Sequence, residues 1–420
     1  MKSARTSVET RASWVAAMAA LVVMSAAFGA PYVSVVALKE IAGDLGGART
    51  VPALCYSFAW LGTAIGGLIM SPVAERVGLR TTAIAGALMI GLGLVLASRS
   101  DAQGLYLAHG LLIGVFGLGA INAPVYVYVS RWFDRRRGTA LALISSGSYV
   151  AGVVWPPLLE PVITAQGWRP TMLIFALIEV ALVVPTAWFF FNAPPASLTE
   201  PGIARGGPVR GEPVLGLDAN LVLALIAVAS LLCCIPMAMP QGHLIAFCSD
   251  LGIAPAQGTA MLSVLLGTGF VSRQIWGAIS DRIGGLKTVL SASACQAAAL
   301  AALLFTQNEA GLFAVSAFFG FGFSGLVPAY VLAIREHFPE SEAPWRVPAM
   351  MLCSGSGMAV GGWLAGALYD RFGFYGAAFA AGLLANLLNL VIVGFLVARE
   401  LGSARGHAPR VTRREISTTL

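Results

Sequence analysis

An arginine inside an apolar, helix-length segment is the residue whose chemistry most constrains this 420-residue sequence. The segment runs from Met261 to Lys287, and Arg273 lies eight residues before a charged turn that begins at Asp281. At about 1.5 Å per helical residue, Arg273 is about 12 Å from that turn, inside a hydrocarbon layer roughly 30 Å thick. Placing the charge there costs about 2.5–3.5 kcal/mol, so the guanidinium should face a polar cavity or a partner. A fixed cation in a cavity indicates an anionic substrate; the alternatives are snorkelling to the surface and a structural ion pair.

Two further titratable residues lie at membrane depth. His243 follows Pro240 and Gly242 near the outer end of the seventh apolar run, where a histidine could bind a carboxylate, carry a proton or satisfy the broken backbone. Glu179 is near the middle of the sixth run and is the deepest carboxylate in the chain. Desolvation favours its neutral form, which makes it a candidate proton carrier, although a peripheral structural role is the alternative.

Hydrogen-bonding side chains in neighbouring runs could complete a cavity around Arg273. For each of them, packing in the core or at the interface is the alternative. The candidates are Asn122, Tyr126, Tyr149, Gln274 and Tyr330.

The composition is that of a polytopic membrane protein. Hydrophobic residues make up 57% of the chain and charged residues 11%, against roughly 25% charged in soluble domains. No alternating strand pattern is present, so apolar runs of this length should be helices. Twelve such runs are predicted, at residues 14–37, 51–73, 81–98, 105–130, 138–159, 170–191, 219–247, 258–280, 287–305, 311–334, 346–368 and 374–398.

Basic residues are distributed unevenly between the predicted loops. With the N-terminus inside, 20 of the 26 lysines and arginines lie in inner segments and five in outer ones, and Arg273 is the remaining one. By the positive-inside rule this predicts that both termini are cytoplasmic, in the inner (plasma) membrane. The same split accounts for the net charge of +6 without nucleic acid as a partner. The six cysteines have no metal-ligand spacing, and no motif of an enzyme, cofactor site or metal site is present.

A polar, Pro/Gly-rich tract divides the chain into two halves. We expect an N-terminal six-helix half at residues 1–191, a cytoplasmic linker at 192–218, a C-terminal six-helix half at 219–400 and a basic cytoplasmic tail at 401–420. Matching turns follow the second and eighth runs at an offset of 206 residues, which indicates a duplicated unit. The turns could clamp neighbouring helices through charge pairs, or only mark topology. Their residues are Glu75, Arg76, Gly78 and Arg80 in the first copy, and Asp281, Arg282 and Gly284 in the second.

The twelve runs and the Asp281-Arg282-Ile283-Gly284 turn preceded by Gly277 resemble the major facilitator superfamily. Three strings resemble its monocarboxylate transporter and oxalate/formate antiporter branch: residues 131–142, residues 167–169 and residues 242–252. The resemblance implies an all-α fold of twelve transmembrane helices in two pseudo-symmetric six-helix bundles.

In that branch an arginine in the eighth span and a histidine in the seventh line the carboxylate site, and Arg273 and His243 stand at matching positions. Two departures bear on the substrate. Gly269 replaces the aspartate that animal carriers have one turn before the arginine, which puts proton coupling in doubt. Residues 347–368 contain no lysine, unlike the oxalate carriers, so a monoanion is favoured over a dicarboxylate.

The sequence thus predicts a secondary active transporter of a small organic anion, with protons as a candidate coupling ion. It would work by alternating access, as a monomer in contact with membrane lipid. An exporter of a larger amphipathic compound and a non-transporting receptor are the alternatives.

Overall fold

A computed structural model describes residues 9–133, 136–192 and 213–406. Long helices account for nearly all of them, and the pairing of Val214 with Leu217 is an isolated bridge in a turn. We number the long helices α1 to α12 in chain order. Their bounds are Arg11–Val36, Thr50–Val77, Leu79–Ala97, Ala102–Ser130, Arg137–Gln166, Trp168–Phe190, Ala219–Asp250, Pro255–Ile283, Gly285–Phe305, Glu309–His337, Ala343–Phe372 and Gly376–Gly406.

Three of these helices are interrupted. The segment Arg11–Ala27 of α1 gives way to Ala30–Val36, and α5 consists of Arg137–Ser145 and Gly147–Gln166. In α10, Glu309–Phe323 is followed by Leu326–His337. Inside a bilayer, a helix break leaves backbone carbonyls that need other donors. The breaks in α5 and α10 both supply such carbonyls to the site described below.

Eleven helices in the described part of the chain are long and apolar enough to cross a membrane. The exception is α8, which has sufficient length at 29 residues but not the required hydropathy. Polar residues are spread along it, among them Ser272, Arg273 and Gln274. A helix of this kind is stable in a membrane when its polar face turns toward protein or a cavity.

The helix contacts repeat with a shift of six. In the first bundle α2 packs on α4 and α3 packs on α6, and in the second α8 packs on α10 and α9 on α12. Glycine permits these close approaches, since a Cβ at Gly62 of α2 would lie 2.3 Å from the carbonyl oxygen of Gly110 in α4. A Cβ at Gly320 of α10 would lie 2.0 Å from the carbonyl oxygen of Leu265 in α8. The predicted two-bundle fold is therefore confirmed.

The bundles meet along two helix pairs, α2 with α11 and α5 with α8. We call the end that carries Arg49 the outer end and the end that carries Gly78 and Gly284 the inner end. Gly78 and Gly284 terminate α2 and α8 with φ of 86° and 85°, in the region that favours glycine. The two turns thus have matching backbone geometry.

Residues 193–212 of the predicted linker and 407–420 of the predicted tail lie outside the described residues. The boundaries predicted on either side of the linker lie at helix ends, since α6 ends at Phe190 and α7 begins at Ala219, whereas the predicted boundary at residue 400 falls inside α12. Residues 401–406 continue α12.

Candidate functional site

A cavity of about 510 Å³ lies between the two bundles. Its lining comes from α1, α2, α4 and α5 of the first bundle and from α7, α8, α10 and α11 of the second. The lining extends to Pro72 of α2 and Pro348 of α11, near the inner ends of those helices. The cavity thus extends toward the inner end.

Arg273 spans the two bundles at the wall of this cavity. Its Nη1 donates hydrogen bonds to the carbonyl oxygen of Ser145 at 2.9 Å and to the Ser145 hydroxyl at 2.5 Å. Its Nη2 donates to the Tyr149 hydroxyl at 3.2 Å, and the guanidinium carbon lies 4.7 Å from the Tyr149 ring centroid. Within its own bundle, Nε donates to the carbonyl oxygen of Ser324 at 3.4 Å. Both backbone acceptors lie at helix breaks, in α5 and α10.

Among the residues that the structure describes, no carboxylate neutralises the charge of Arg273. The cavity lining contains no aspartate or glutamate, and Arg273 is its one charged residue. Arg273 forms no ion pair with any of the described residues. All its partners are neutral, so they solvate the guanidinium without cancelling its charge. Such a group attracts an anion from solution.

Three other predicted residues also line the cavity: Asn122, Tyr126 and Tyr149. Tyr126 forms a side-chain hydrogen bond with Ser145, and the positive charge of Arg273 acts on the Tyr126 hydroxyl. Tyr149 packs against Phe323 with ring centroids 5.7 Å apart, which fixes the position of the ring under the guanidinium. The structure thus groups these tyrosines with Arg273, and Ser145 joins them at the same wall.

His243 is placed elsewhere. It is buried in α7 and does not line the cavity. Its Nε2 lies 2.9 Å from the carbonyl oxygen of Gly362 and its Nδ1 lies 3.0 Å from the Tyr375 hydroxyl. Because a carbonyl only accepts, Nε2 carries the proton and Nδ1 accepts from Tyr375. This arrangement joins α7 to α11 near the outer end.

The remaining predicted residues are also separate from the cavity. Tyr330 is buried and donates to Asn389 Oδ1 at 2.6 Å, and Gln274 is exposed on α8. Glu179 is fully buried in α6, and neither carboxylate oxygen has a hydrogen-bond partner among the described residues. Neither Tyr330, Gln274 nor Glu179 lines the cavity.

The outer end is closed by a charged cluster between the bundles, which we call the outer lock: Lys39, Arg49, Thr50, Asp250 and Asp370. Arg49 pairs with both oxygens of Asp250, at 2.5 and 2.6 Å, and Lys39 lies 3.2 Å from the same carboxylate. The Asp370 carboxylate accepts from the backbone amides of Arg49 and Thr50, at 2.8 and 2.9 Å, at the N-terminus of α2.

Arg49 is held further by aromatic rings. Its guanidinium carbon lies 3.6 Å from the ring centroid of Tyr369 and 5.2 Å from that of Tyr375. Burial lowers the pKa of the Arg49 guanidinium, but hydrogen bonds to Asp250 and Tyr375 outweigh that effect, and the pKa lies above its ordinary value. The arginine therefore stays charged. Since Tyr375 also donates to His243, one polar chain connects the outer lock to α7.

In contrast to the outer lock, the turns at the inner end do not connect the two bundles within the described part of the chain. Asp281 and Arg282 are exposed, and within the described part of the chain neither forms a hydrogen bond or ion pair. In the first bundle, Glu75 lies 3.6 Å from Arg131, while Arg76 is exposed. The bundles are thus joined at the outer end and not by these turns.

Arg80 has partners within its own bundle. It donates to the carbonyl oxygen of Phe191 at 3.2 Å and to Asn192 Oδ1 at 2.7 Å, so it holds the end of α6 against the start of α3.

The sequence gives little indication of the outer lock. Arg49 is one of five basic residues in the predicted outer segments, and that position was the only signal. Its partners are about 200 and 320 residues away in the chain, so their proximity depends on the packing of the two bundles. Ser145 carries a signal of a different kind, because it begins the small-residue run Ser145-Ser146-Gly147-Ser148, which recurs in α11 as Ser354-Gly355-Ser356-Gly357 at an offset of 209 residues.

Comparisons with known proteins agree with this architecture. The family model described as Major Facilitator Superfamily matches residues 13–305 and 238–417. A bacterial homologue of the human lysosomal transporter Spinster, solved in an inward-facing and unoccupied conformation, superposes with a TM-score of 0.65 at 14% identity, covering 94% of this chain and 98% of that one. A mutant of the peptide transporter POT with sulfate gives a TM-score of 0.68 at 13% identity, covering 91% and 95%.

Two curated relatives cover about three quarters of the chain. The MFS-type transporter pynF of Aspergillus niger is 27% identical over 329 residues, which is 76% of this chain and 74% of the relative. Monocarboxylate transporter 13 of Bos taurus is 26% identical over 317 residues, or 75% and 72%. These relatives indicate a transporter and not an enzyme. The family match spans most of the sequence and the fold agrees with it, so the chain belongs to the Major Facilitator Superfamily.

Proposed function

We propose that this protein is a secondary active transporter of a small organic anion, and that a monocarboxylate is the best fit. The observation that carries the proposal is the Arg273 guanidinium at the cavity wall, solvated by neutral groups and paired with no carboxylate in the described part of the chain. Four of the five N–H groups of the guanidinium bond to protein, and the remaining N–H of Nη2 can donate a charge-assisted hydrogen bond to a carboxylate. The relative named monocarboxylate transporter 13 supports the same substrate class.

A single cation favours a monoanion. A dicarboxylate would bring a second charge into a lining that offers no second cation, and desolvating that charge would be costly. Tyr126, Tyr149 and Asn122 would then orient the bound carboxylate. The roles that sequence analysis gave to His243, Tyr330 and Gln274 would be indirect, since these residues lie outside the cavity lining.

We infer an alternating-access mechanism from the distribution of contacts between the bundles. The outer lock joins them at one end, while the cavity reaches the other. Opening the outer lock and bringing the inner turns together would turn the cavity to the other side. We also propose that the inner end is cytoplasmic, that the protein is a monomer in the inner membrane, and that protons are the coupling ion to be tested first.

The second candidate is an exporter of a larger amphipathic compound. The mostly apolar lining of the cavity favours it, and the similarity to fungal MFS-type transporters is compatible with it. In this case Arg273 would have a structural role.

Counterflow in proteoliposomes tests the proposal. Liposomes loaded with an unlabelled monocarboxylate should accumulate the same labelled compound, and external monocarboxylates should compete while their neutral amides should not. Protein-free liposomes at the same pH control for permeation of the neutral acid. Exchange of uncharged compounds without exchange of any carboxylate would contradict the proposal.

A further inference from the structure

The two helix pairs that form the bundle interface present walls of different polarity to the central cavity. The wall formed by α5 and α8 carries Arg273, Ser145 and Tyr149, and Arg273 donates hydrogen bonds to the other two across the bundle interface. The other wall, formed by α2 and α11, is mainly apolar. Its apolar side chains are Trp60, Ala64, Leu68, Met351, Leu352 and Met358.

The hydroxyl groups of the second wall are already engaged. Thr63 donates to the carbonyl oxygen of Ala59 at 2.6 Å, Ser71 to that of Gly67 at 2.7 Å, and Ser354 to that of Met350 at 3.3 Å. Each bond is to the carbonyl four residues earlier in the same helix, which leaves the hydroxyl without a proton to donate to a ligand. The α2–α11 wall thus offers mainly apolar contact.

The α2–α11 wall combines a tryptophan that is held in place by its neighbours with flexible methionine side chains. Trp60 packs on Phe28 with ring centroids 5.7 Å apart and on Tyr56 at 6.3 Å, which holds the indole at the cavity. Met351 and Met358 flank it on α11, and methionine adjusts readily to ligands of different shape. Glycine brings the two helices together, since a Cβ at Gly355 would lie 2.7 Å from Ala64 Cβ.

We propose that the ligand is an amphipathic monoanion whose carboxylate binds Arg273 on the α5–α8 wall and whose apolar body packs on the α2–α11 wall. This inference rests on the proposed function and narrows its substrate class. The cavity volume of about 510 Å³ leaves room for such a body, which the smallest monocarboxylates lack. Binding strength should therefore rise with the apolar size of the ligand.

A matched set of four compounds tests this division. Octanoate and butyrate differ in apolar length, octanamide lacks the charge of octanoate, and suberate adds a second carboxylate at the same length. Calorimetric titration of the purified full-length protein in lipid nanodiscs gives the Kd for each, with Arg273→Ala as the baseline for partition into lipid. Each buried methylene contributes about fourfold in affinity. We expect octanoate to bind at least about tenfold more tightly than each of the other three compounds.

Variants of the apolar wall provide the second part of the test. Trp60→Ala should weaken octanoate binding by about tenfold while leaving butyrate binding nearly unchanged. Met351→Ser, at a half-exposed position that tolerates a polar residue, should do the same to a smaller degree and replaces Trp60→Ala if that protein fails to fold. Trp363→Ala is the matched control, since Trp363 lies on α11 but outside the cavity lining.

The outcomes separate this inference from the proposed function. Equal affinities for octanoate and butyrate, or suberate binding as tight as octanoate binding, would overturn the amphipathic assignment. If carboxylate binding still depends on Arg273 in that case, the proposed function stays intact. Carboxylate binding that is unchanged in Arg273→Ala, or absent from the wild type, would overturn both.

Discussion

The guanidinium of Arg273 is solvated by groups that helix breaks make available. Ser145 and Ser324 precede the second segments of α5 and α10, and their carbonyl oxygens accept from Arg273. Neutral acceptors of this kind lower the cost of a charge at membrane depth without cancelling it. Arg273 therefore remains available to an anion, in contrast to Arg49, whose charge is neutralised by Asp250.

The sequence predicts well how deep in the membrane a residue lies, and the predictions for single residues depended on that depth. The position of Arg273 in its run showed that it must face a cavity or a partner. The direction of a side chain is harder to infer, because it depends on helix packing. His243 has the depth of a cavity residue, yet it bonds to Gly362 and Tyr375 in the interface of α7 with α11 and the start of α12. The acceptors of Arg273 come from breaks that the hydropathy pattern does not reveal.

Tyr149 should contribute to ligand binding through its hydroxyl. Tyr149→Phe keeps the ring under the guanidinium but removes the partner of Nη2, which lies 3.2 Å away. We expect carboxylate affinity to fall by about fivefold, the equivalent of one hydrogen bond of about 1 kcal/mol. The measurement is Kd by calorimetry, with Tyr106→Phe as a control outside the cavity lining. An unchanged Kd would show that the hydroxyl has no part in binding.

Glu179 can be tested as a proton carrier by its effect on pH dependence. It lies outside the cavity, and its oxygens have no hydrogen-bond partner in the described part of the chain. We therefore expect Glu179→Gln to leave the pH profile of uptake unchanged. Glu179→Leu should raise the melting temperature, because a buried polar group without a partner is removed. A flattened pH profile in Glu179→Gln, at normal expression, would instead assign proton transfer to this residue.

At the scale of elements, the helices follow the apolar runs closely. Each of the twelve predicted runs overlaps one long helix, since in lipid an apolar segment of that length must satisfy its own backbone. The helices extend beyond the runs where polar turns continue them: α2 includes Arg76, and α8 includes Asp281 and Arg282. The breaks in α1, α5 and α10 were not predicted, because small and apolar residues there are equally compatible with a continuous helix.

Asp281, near the C-terminal end of α8, should influence the equilibrium between the two proposed conformations. Asp281 is exposed and unpaired among the described residues while the outer end is closed, so a clamp formed by it would belong to the opposite state. Asp281→Asn should leave the protein inserted, reduce uptake and favour the state with the cavity open to the inner end. Labelling of an introduced cysteine at Ser71, which lines the cavity, measures the shift.

Asp101→Asn is the matched control for this substitution, because Asp101 is an exposed cap of α4 at the outer end. Normal uptake and normal labelling in Asp281→Asn would reduce the turn to a topology signal.

For the whole molecule, the outer lock is the charged connection between the two bundles at the outer end. It contains charges of both bundles, with Arg49 and Lys39 from the first and Asp250 and Asp370 from the second. In the proposed alternating-access mechanism these pairs break when the bundles separate at the outer end, so their strength would contribute to the difference in free energy between the two states. The sequence predicts the two bundles and their repeat, but pairing across more than 200 residues can only be read from their packing.

Arg49→Ala should open the outer end. Removal of one partner from a hydrogen-bonded ion pair leaves Asp250 with the more exposed Lys39 alone and favours the alternative state. A cysteine introduced at Ser57, which is buried beneath the outer lock next to Gly362, should then react at least about tenfold faster with a membrane-impermeant reagent. Arg99→Ala, at an exposed outer arginine, is the control. Equal rates in the two variants would show that the outer lock does not hold this end closed.

The central claim is that Arg273 binds the anionic group of the transported molecule. The most direct measurement is carboxylate counterflow by Arg273→Lys and Arg273→Ala proteoliposomes, with the amount of inserted protein determined in the same samples. Lysine keeps the charge but not the planar array of N–H donors with which arginine bonds to Ser145 and Tyr149 and still offers one donor to a ligand, and alanine removes both. Both proteins should insert, because loss of a charge makes α8 easier to place in lipid and strands no carboxylate partner among the described residues.

We expect reduced affinity in Arg273→Lys and no carboxylate counterflow in Arg273→Ala, at wild-type levels of inserted protein. Arg169→Ala is the matched control, since Arg169 bonds to the carbonyl oxygens of Ser98 and Ser100 far from the cavity, and it should transport normally. Wild-type counterflow in a well-inserted Arg273→Ala protein would contradict the claim.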